Sequence, residues 1–158
     1  MVVRRDVVLQ IDRAGLMRAA SAAVEAAGRG GRDELTIVLT DDAEVQDLNA
    51  RYRGLDQTTD VLSFGLFEPA ESPTGDPLEA LAPLGDVVIS YPRAVAQAQE
   101  LGHPVDEEVA WLVVHGTLQL LGYRHDTPEE AKEMSRVESR ILRDLGMQSV
   151  QLTDSRLG

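Results

Sequence analysis

The stretch His115-Gly116-Thr117-Leu118-Gln119-Leu120-Leu121-Gly122-Tyr123-Arg124-His125-Asp126 carries the reading of this chain. Trp111, Leu112 and Val113 join Leu118 and Leu121 in a strongly apolar segment, which predicts a central helix over Asp106 to Leu121. Side chains four apart on a helix share a face, so His115 and Gln119 point the same way. Gly122 stands where that helix ends, because glycine accepts the left-handed conformation that follows a last turn. A reversal there returns His125 to the side of His115 and Gln119. Zinc hydrolases use this arrangement: two ligands one helical turn apart, a glycine turn, and a third ligand after it.

The flanking sequence supplies a sheet and further helices. Val7, Val8, Leu9 and Ile11 suggest a first strand. Arg13 to Ala27 reads as a helix with Leu16, Ala20, Ala23, Val24 and Ala27 on one stripe, stopped by Gly28 to Gly31. Leu35 to Leu39 reads as a second strand. Asp41 caps the next helix with Glu44 three residues on, and Val45, Leu48 and Tyr52 point inward. Val61 to Phe64 and Asp86 to Ser90 are the third and fourth strands. Between them, residues 68–83 hold four of the seven prolines and read as a long surface loop. Tyr91 to Leu101 is a short helix. Thr127-Pro128-Glu129-Glu130 starts the last helix with an N-cap, a first-turn proline and a capping-box glutamate, and Met134, Val137, Ile141 and Leu145 mark its buried stripe before Gly146.

The expected class is α+β: a small mixed four-stranded sheet packed with about five helices, with parallel pairing from the first crossovers and a long-loop hairpin between the third and fourth strands. A single domain over residues 1–146 and a loose C-terminal tail over 147–158 are expected.

A chain of 158 residues suffices for one domain with a substantial core. It has no cysteine, which excludes disulfides and thiolate ligands and leaves His, carboxylate or amide groups for any metal. The start lacks the apolar stretch of a signal peptide, and no apolar run reaches membrane-spanning length, so a soluble cytoplasmic protein with no membrane partner is expected. The formal net charge of −12 repels phosphate at long range. Lys132 is the only lysine among 15 basic residues, and arginine suits fixed bidentate phosphate contacts. Nucleic-acid binding on such a body requires a local arginine-lined groove.

The central stretch has the offsets of the metzincin protease pattern H-E-x-x-H-x-x-G-x-x-H. Gly116, however, stands where the protease has its general-base glutamate, and Gln119 stands at the second histidine, so a protease lacks its base here. The stretch more closely resembles H-G-x-L-H-L-x-G-Y-D-H, the signature of the YbeY-type rRNA maturation factors, matched at His115, Gly116, Leu118, Leu120, Gly122, Tyr123 and His125. Leu48 to Phe64 resembles the same family's L-N-x-x-Y-R-x-x-D-x-x-T-D-V-L-S-F segment, and Leu84 to Ser90 resembles its L-G-D-I-x-I-S strand. The helix from Pro128 with Met134 and Glu138 is also in place.

This resemblance spans most of the chain. It implies a zincin-like fold, one zinc ion among three histidines, and endonucleolytic cleavage of single-stranded RNA in maturing the 3′ end of 16S rRNA. It also implies a role in ribosome quality control. Single-stranded rRNA and the small ribosomal subunit or its proteins are the partners implied, and DNA is not. Carried over by position, His115 and His125 are metal ligands, Gln119 occupies the third ligand position, and Arg53 matches the family's functionally important arginine, a catalytic and substrate-binding residue facing the metal cleft.

Two positions depart from the family pattern. Gln119 replaces the middle histidine, and an amide oxygen is a weaker, neutral donor than imidazole, so reduced metal affinity is expected. Arg124 replaces an aspartate; a cation there discourages a nearby dication and favours phosphate, which makes it a substrate-binding candidate. Together they raise the alternative of a non-catalytic ribosome-associated factor with a degenerate metal site. His103, about 18 Å from His115 along a continuous helix, is a poor substitute ligand. Asp126 is either an oxygen donor or a loop cap.

Other residues carry simpler readings. Asp60 caps the turn into the third strand. Glu107 and Glu108 are first-turn acids favoured by the helix dipole. Arg136, Arg140 and Arg143 form a solvated face, with Glu133 available to Arg136. Gly116 costs a helix interior about 1 kcal/mol relative to alanine, so either a close neighbour or a substrate needs the room.

Overall fold

Alternation of side chains along two central strands divides the molecule into layers. In the computed structural model, which describes residues 2–3, 12–27, 35–65 and 85–147, β2 (Leu35–Thr40) runs parallel to β4 (Gly85–Ser90). Their register runs from Leu35 opposite Gly85 to Thr40 opposite Ser90. A two-residue strand, β1 (Val2–Val3), pairs parallel to β2 on its other side. At the opposite edge β3 (Val61–Gly65) pairs antiparallel to β4, giving the order β1-β2-β4-β3. The mixed four-stranded sheet is present, although β1 contributes only two residues, so three strands carry it.

Ile37, Leu39, Val87 and Ile89 turn to one face and enter the main core. There they meet α1 (Arg13–Ala26) and α4 (Val105–Leu120), with α3 (Tyr91–Leu101) and α5 (Pro128–Asp144) packed on α4. Val38, Leu62 and Val88 turn to the other face and pack on Val45 and Leu48 of α2 (Asp42–Arg53). The central helix is buried almost throughout, from Glu108 to Leu118, as its composition predicts.

Local signals in the sequence are realised at the helix ends. The Asp41 side chain accepts the Glu44 N–H at 2.8 Å, and the Thr127 hydroxyl accepts the Glu130 N–H at 3.1 Å. Arg136 pairs with Glu133 at 2.7 Å on an exposed face of α5. The hairpin of third and fourth strands forms.

Two expectations need correction. The α2 crossover from β2 does not lead to a parallel neighbour: it delivers β3 antiparallel at the edge, beyond β4. Tyr52 does not point inward but is 66 % exposed, because it sits in the last turn of α2 beside Phe64 of the edge strand, with ring centroids 5.6 Å apart. The strand expected over residues 7–11, the glycines at 28–31, the proline-rich loop at 68–83 and the tail from 148 lie outside the described residues.

Candidate functional site

The last turn of α4 is closed as the sequence predicts. Gly122 has φ 100°, its N–H donates to the Gln119 carbonyl at 3.1 Å, and the Tyr123 N–H donates to the Leu118 carbonyl at 3.0 Å. These are the paired bonds of a Schellman motif, which reverses the chain and satisfies carbonyls the helix leaves open. The reversal brings His125 back: its ring centroid lies 5.5 Å from that of His115, at an interplanar angle of 36°. Gln119, one turn after His115, lies against the second ring, its Nε2 3.3 Å from His125 Nε2. The three residues predicted from spacing share one site.

Two further groups fix that site. Glu138 of α5 is fully buried, and its two oxygens accept from His115 Nδ1 at 2.7 Å and from Trp111 Nε1 at 2.9 Å. A carboxylate only accepts, so the His115 proton is on Nδ1 and the Nε2 lone pair faces the other way. A carboxylate behind an imidazole in this manner is the usual support for a metal-ligating histidine. From the sheet, the Ser63 hydroxyl lies 3.0 Å from the Gly116 carbonyl and 3.2 Å from Gln119 Oε1, sharing its one proton between them.

Gly116 is explained by packing. A Cβ there would sit 2.7 Å from Val87 Cγ1, 3.1 Å from Ser63 Oγ and 3.3 Å from Val61 Cγ2. The helix lies directly on β3 and β4 at this point, and this close approach carries Ser63 to Gln119. Position 116 therefore faces the sheet, where the glutamate of a protease would find no room.

Arg53 reaches the edge strand β3. Its Nη2 donates to the Ser63 carbonyl at 2.7 Å, and its guanidinium carbon lies 5.8 Å from the centroid of the Phe64 ring. The chain of contacts runs Arg53, Ser63, Gln119, His125. Arg124 and Asp126 are exposed on either side of His125. His103 is not in the site: it is buried before α4, with Nε2 on Glu108 Oε1 at 2.5 Å. Glu108 is a first-turn acid of α4, as expected, and in addition the buried partner of that histidine. The Asp60 side chain accepts from Gln97 Nε2 and from the Thr59 hydroxyl, both at 3.4 Å, and its backbone carbonyl accepts the Ser90 N–H at 2.9 Å.

A second polar cluster binds α2 to α3 and β4. Asp42 accepts from Arg93, from the Thr58 hydroxyl at 2.8 Å and from the Ser90 hydroxyl at 2.8 Å. Chiefly the Arg93 hydrogen bond, then those of Thr58 and Ser90, hold the Asp42 carboxyl below the usual aspartate value, and Arg93 is raised in turn.

Among the described residues no three His, Cys, Asp or Glu side chains are grouped to hold a metal. The donor set at the site is instead two imidazoles and one amide. It fits a zinc-class ion once the Gln119 amide is turned over: its oxygen then faces His125, and its NH2 donates to the Ser63 hydroxyl. Sequence reasoning placed the three ligand candidates but gave Glu138 and Ser63 no role in the site. The signal for Glu138 was an acid set within the stripe of Met134, Val137 and Ile141.

Comparison with known proteins shows the family and the fold. A family model described as Endoribonuclease YbeY matches residues 6–146. The Endoribonuclease YbeY of Moorella thermoacetica is 46% identical over 138 residues, covering 84% of this chain and 85% of that protein. That of Caldanaerobacter subterraneus subsp. tengcongensis is 40% identical over 146 residues, covering 87% and 92%. The solution structure of a Thermotoga maritima protein has the same fold, with a TM-score of 0.56 at 19% identity over 97% of this chain and 95% of that one. The chain belongs to the YbeY endoribonuclease family.

Proposed function

We propose that this chain is a metal-dependent endoribonuclease of rRNA processing, in which His115, Gln119 and His125 hold a zinc ion and Arg53 serves the RNA. Family membership makes it a nuclease that takes RNA. The observation that supports the site assignment is the pair of neighbouring imidazoles, 5.5 Å between centroids, with the Gln119 amide in contact with the second. No helix among the described residues is long and apolar enough to cross a membrane, in keeping with work in the cytoplasm on the small ribosomal subunit and its proteins.

A zinc ion, when bound, supplies Lewis acidity toward a phosphoryl oxygen and a more acidic water. The chain's own residues prepare the rest. Glu138 keeps the proton of His115 on Nδ1, so that Nε2 is a donor of electrons and not of a hydrogen bond. Ser63 holds Gln119 from behind. Arg53 is anchored by one N–H on the Ser63 carbonyl and presents its remaining N–H groups to phosphate oxygens, where a fixed cation stabilises charge that develops on cleavage. Arg124, beside His125, adds a second phosphate contact.

The test is cleavage of a single-stranded RNA from the 3′ end of small-subunit rRNA by chelator-treated protein, with and without added zinc. Cleavage is expected with zinc and not without it. His115→Ala and Arg53→Ala should each lower it about a hundredfold or more while circular dichroism stays unchanged. Activity retained in both variants would overturn the assignment.

A further inference from the structure

We propose that Tyr52 and Phe64, flanked by Arg51 and Arg53, form a stacking platform for a base of the single-stranded RNA. The proposal rests on the nuclease reading and deepens it, by naming where the nucleobase is held.

Tyr52 is the most exposed aromatic residue among the described residues. Trp111 is 1 % and Tyr91 8 % exposed, whereas Tyr52 is 66 % exposed at the end of α2. Leu55, three residues on, is also half exposed. The ring is nevertheless held in place. Phe64 meets it edge to face, with centroids 5.6 Å apart at 69°. Arg51 lies 5.8 Å from the Tyr52 centroid and is itself tethered to Asp47 at 2.7 Å. An exposed ring fixed by its neighbours loses little freedom when a base stacks on it.

Position and charge identify the occupant. Phe64 follows Ser63, whose hydroxyl reaches Gln119, and Arg53 touches both the Ser63 carbonyl and the Phe64 ring. Ser63 and Phe64 point to opposite faces of β3, and Arg53, bonded to the first and lying against the second, links the platform on the α2 side to the candidate site on the α4 side. A nucleotide whose phosphate meets Arg53 presents its base to the Tyr52 surface. A body with net charge −12 gains little from long-range attraction to RNA, so its affinity must come from short-range contacts. Stacking is such a contact, and it tolerates any sequence because every base has a π face. It also selects single strands, since a base paired within a duplex keeps its faces covered by its neighbours.

The experiment measures binding of a fluorescein-labelled single-stranded oligoadenylate by anisotropy to the full chain carrying His115→Ala, which stops cleavage. In that background Tyr52→Ala should weaken binding about five- to a hundredfold. Tyr52→Phe and Tyr52→Trp should stay within about twofold, because both keep the ring face. Met17→Ala, which removes an exposed side chain elsewhere, should have no effect. The salt slope of binding should be unchanged by Tyr52→Ala and reduced by Arg53→Ala. A Tyr52→Ala affinity within twofold of its parent, with the parent binding well, would overturn the platform and leave the nuclease reading standing. An unmodified chain that neither binds nor cleaves single-stranded RNA would overturn both.

Discussion

Glu138→Gln changes one oxygen to an NH2 group at constant shape, in a position with no solvent to compensate. The carboxylate serves two donors, Trp111 Nε1 at 2.9 Å and His115 Nδ1 at 2.7 Å. An amide offers one oxygen. If that oxygen keeps Trp111, the NH2 faces His115, whose ring must move its proton to Nε2 so that Nδ1 can accept. If it keeps His115, a buried indole N–H is left without an acceptor. Either outcome replaces a charge-assisted bond with a neutral or missing one, and the expected loss is about 1–3 kcal/mol. Glu138→Ala leaves both donors unmatched and adds a cavity, so about 3–5 kcal/mol is expected there. Urea unfolding followed by fluorescence reports the loss directly, because Trp111 is the only tryptophan and sits against the substituted group. The same protein, titrated with zinc, should bind about ten- to a hundredfold more weakly, since the proton now occupies the nitrogen that would face the ion. An unfolding midpoint and zinc affinity both equal to those of the unmodified chain would show that Glu138 does not hold the ring.

Other consequences follow from neighbouring groups. Asp42→Asn should lower stability near neutral pH. The folded state holds the Asp42 carboxyl below its ordinary value of 3.8, so its contribution is complete above that value and is lost as pH falls through the depressed one. The difference in urea midpoint between the two proteins should therefore be flat at neutral and mildly acid pH and vanish below the ordinary aspartate range. Gly116→Ala gains about 1 kcal/mol of helix propensity but drives a Cβ onto Val87, a stiff, buried side chain, at an overpacking cost of about 1–3 kcal/mol. A net fall in melting temperature is expected, together with lost cleavage as α4 moves off Ser63. Gln119→His should tighten zinc binding, measured by competition with a chromophoric chelator, because imidazole is the stronger donor.

What the sequence disclosed was what short-range periodicity and end signals encode. His115 and Gln119 share a face because four residues make a turn, and Gly122 reverses the chain because its φ of 100° suits glycine. The caps at Asp41 and Thr127 depend on three-residue offsets and were equally visible. What it did not disclose depends on contacts outside the local pattern. Nothing local marks Glu138 or Glu108 as buried; one meets donors 23 and 27 residues away, the other the histidine just before its helix. Gly116 needed the separation of α4 from β4, which no local pattern contains. Tyr52 lies on the same stripe as Val45 and Leu48, yet the sheet ends beneath it, and periodicity cannot tell where a sheet stops. The Asp42–Arg93 pair joins residues 51 apart and left no trace in composition.

Anomalous diffraction at the zinc edge, from crystals of the unmodified chain grown with zinc and no chelator, tests the site directly. One peak enclosed by His115 Nε2, His125 and the Gln119 amide oxygen is the predicted result. Density showing the two imidazoles bonded to protein groups alone, with zinc absent or bound elsewhere on the surface, would contradict it.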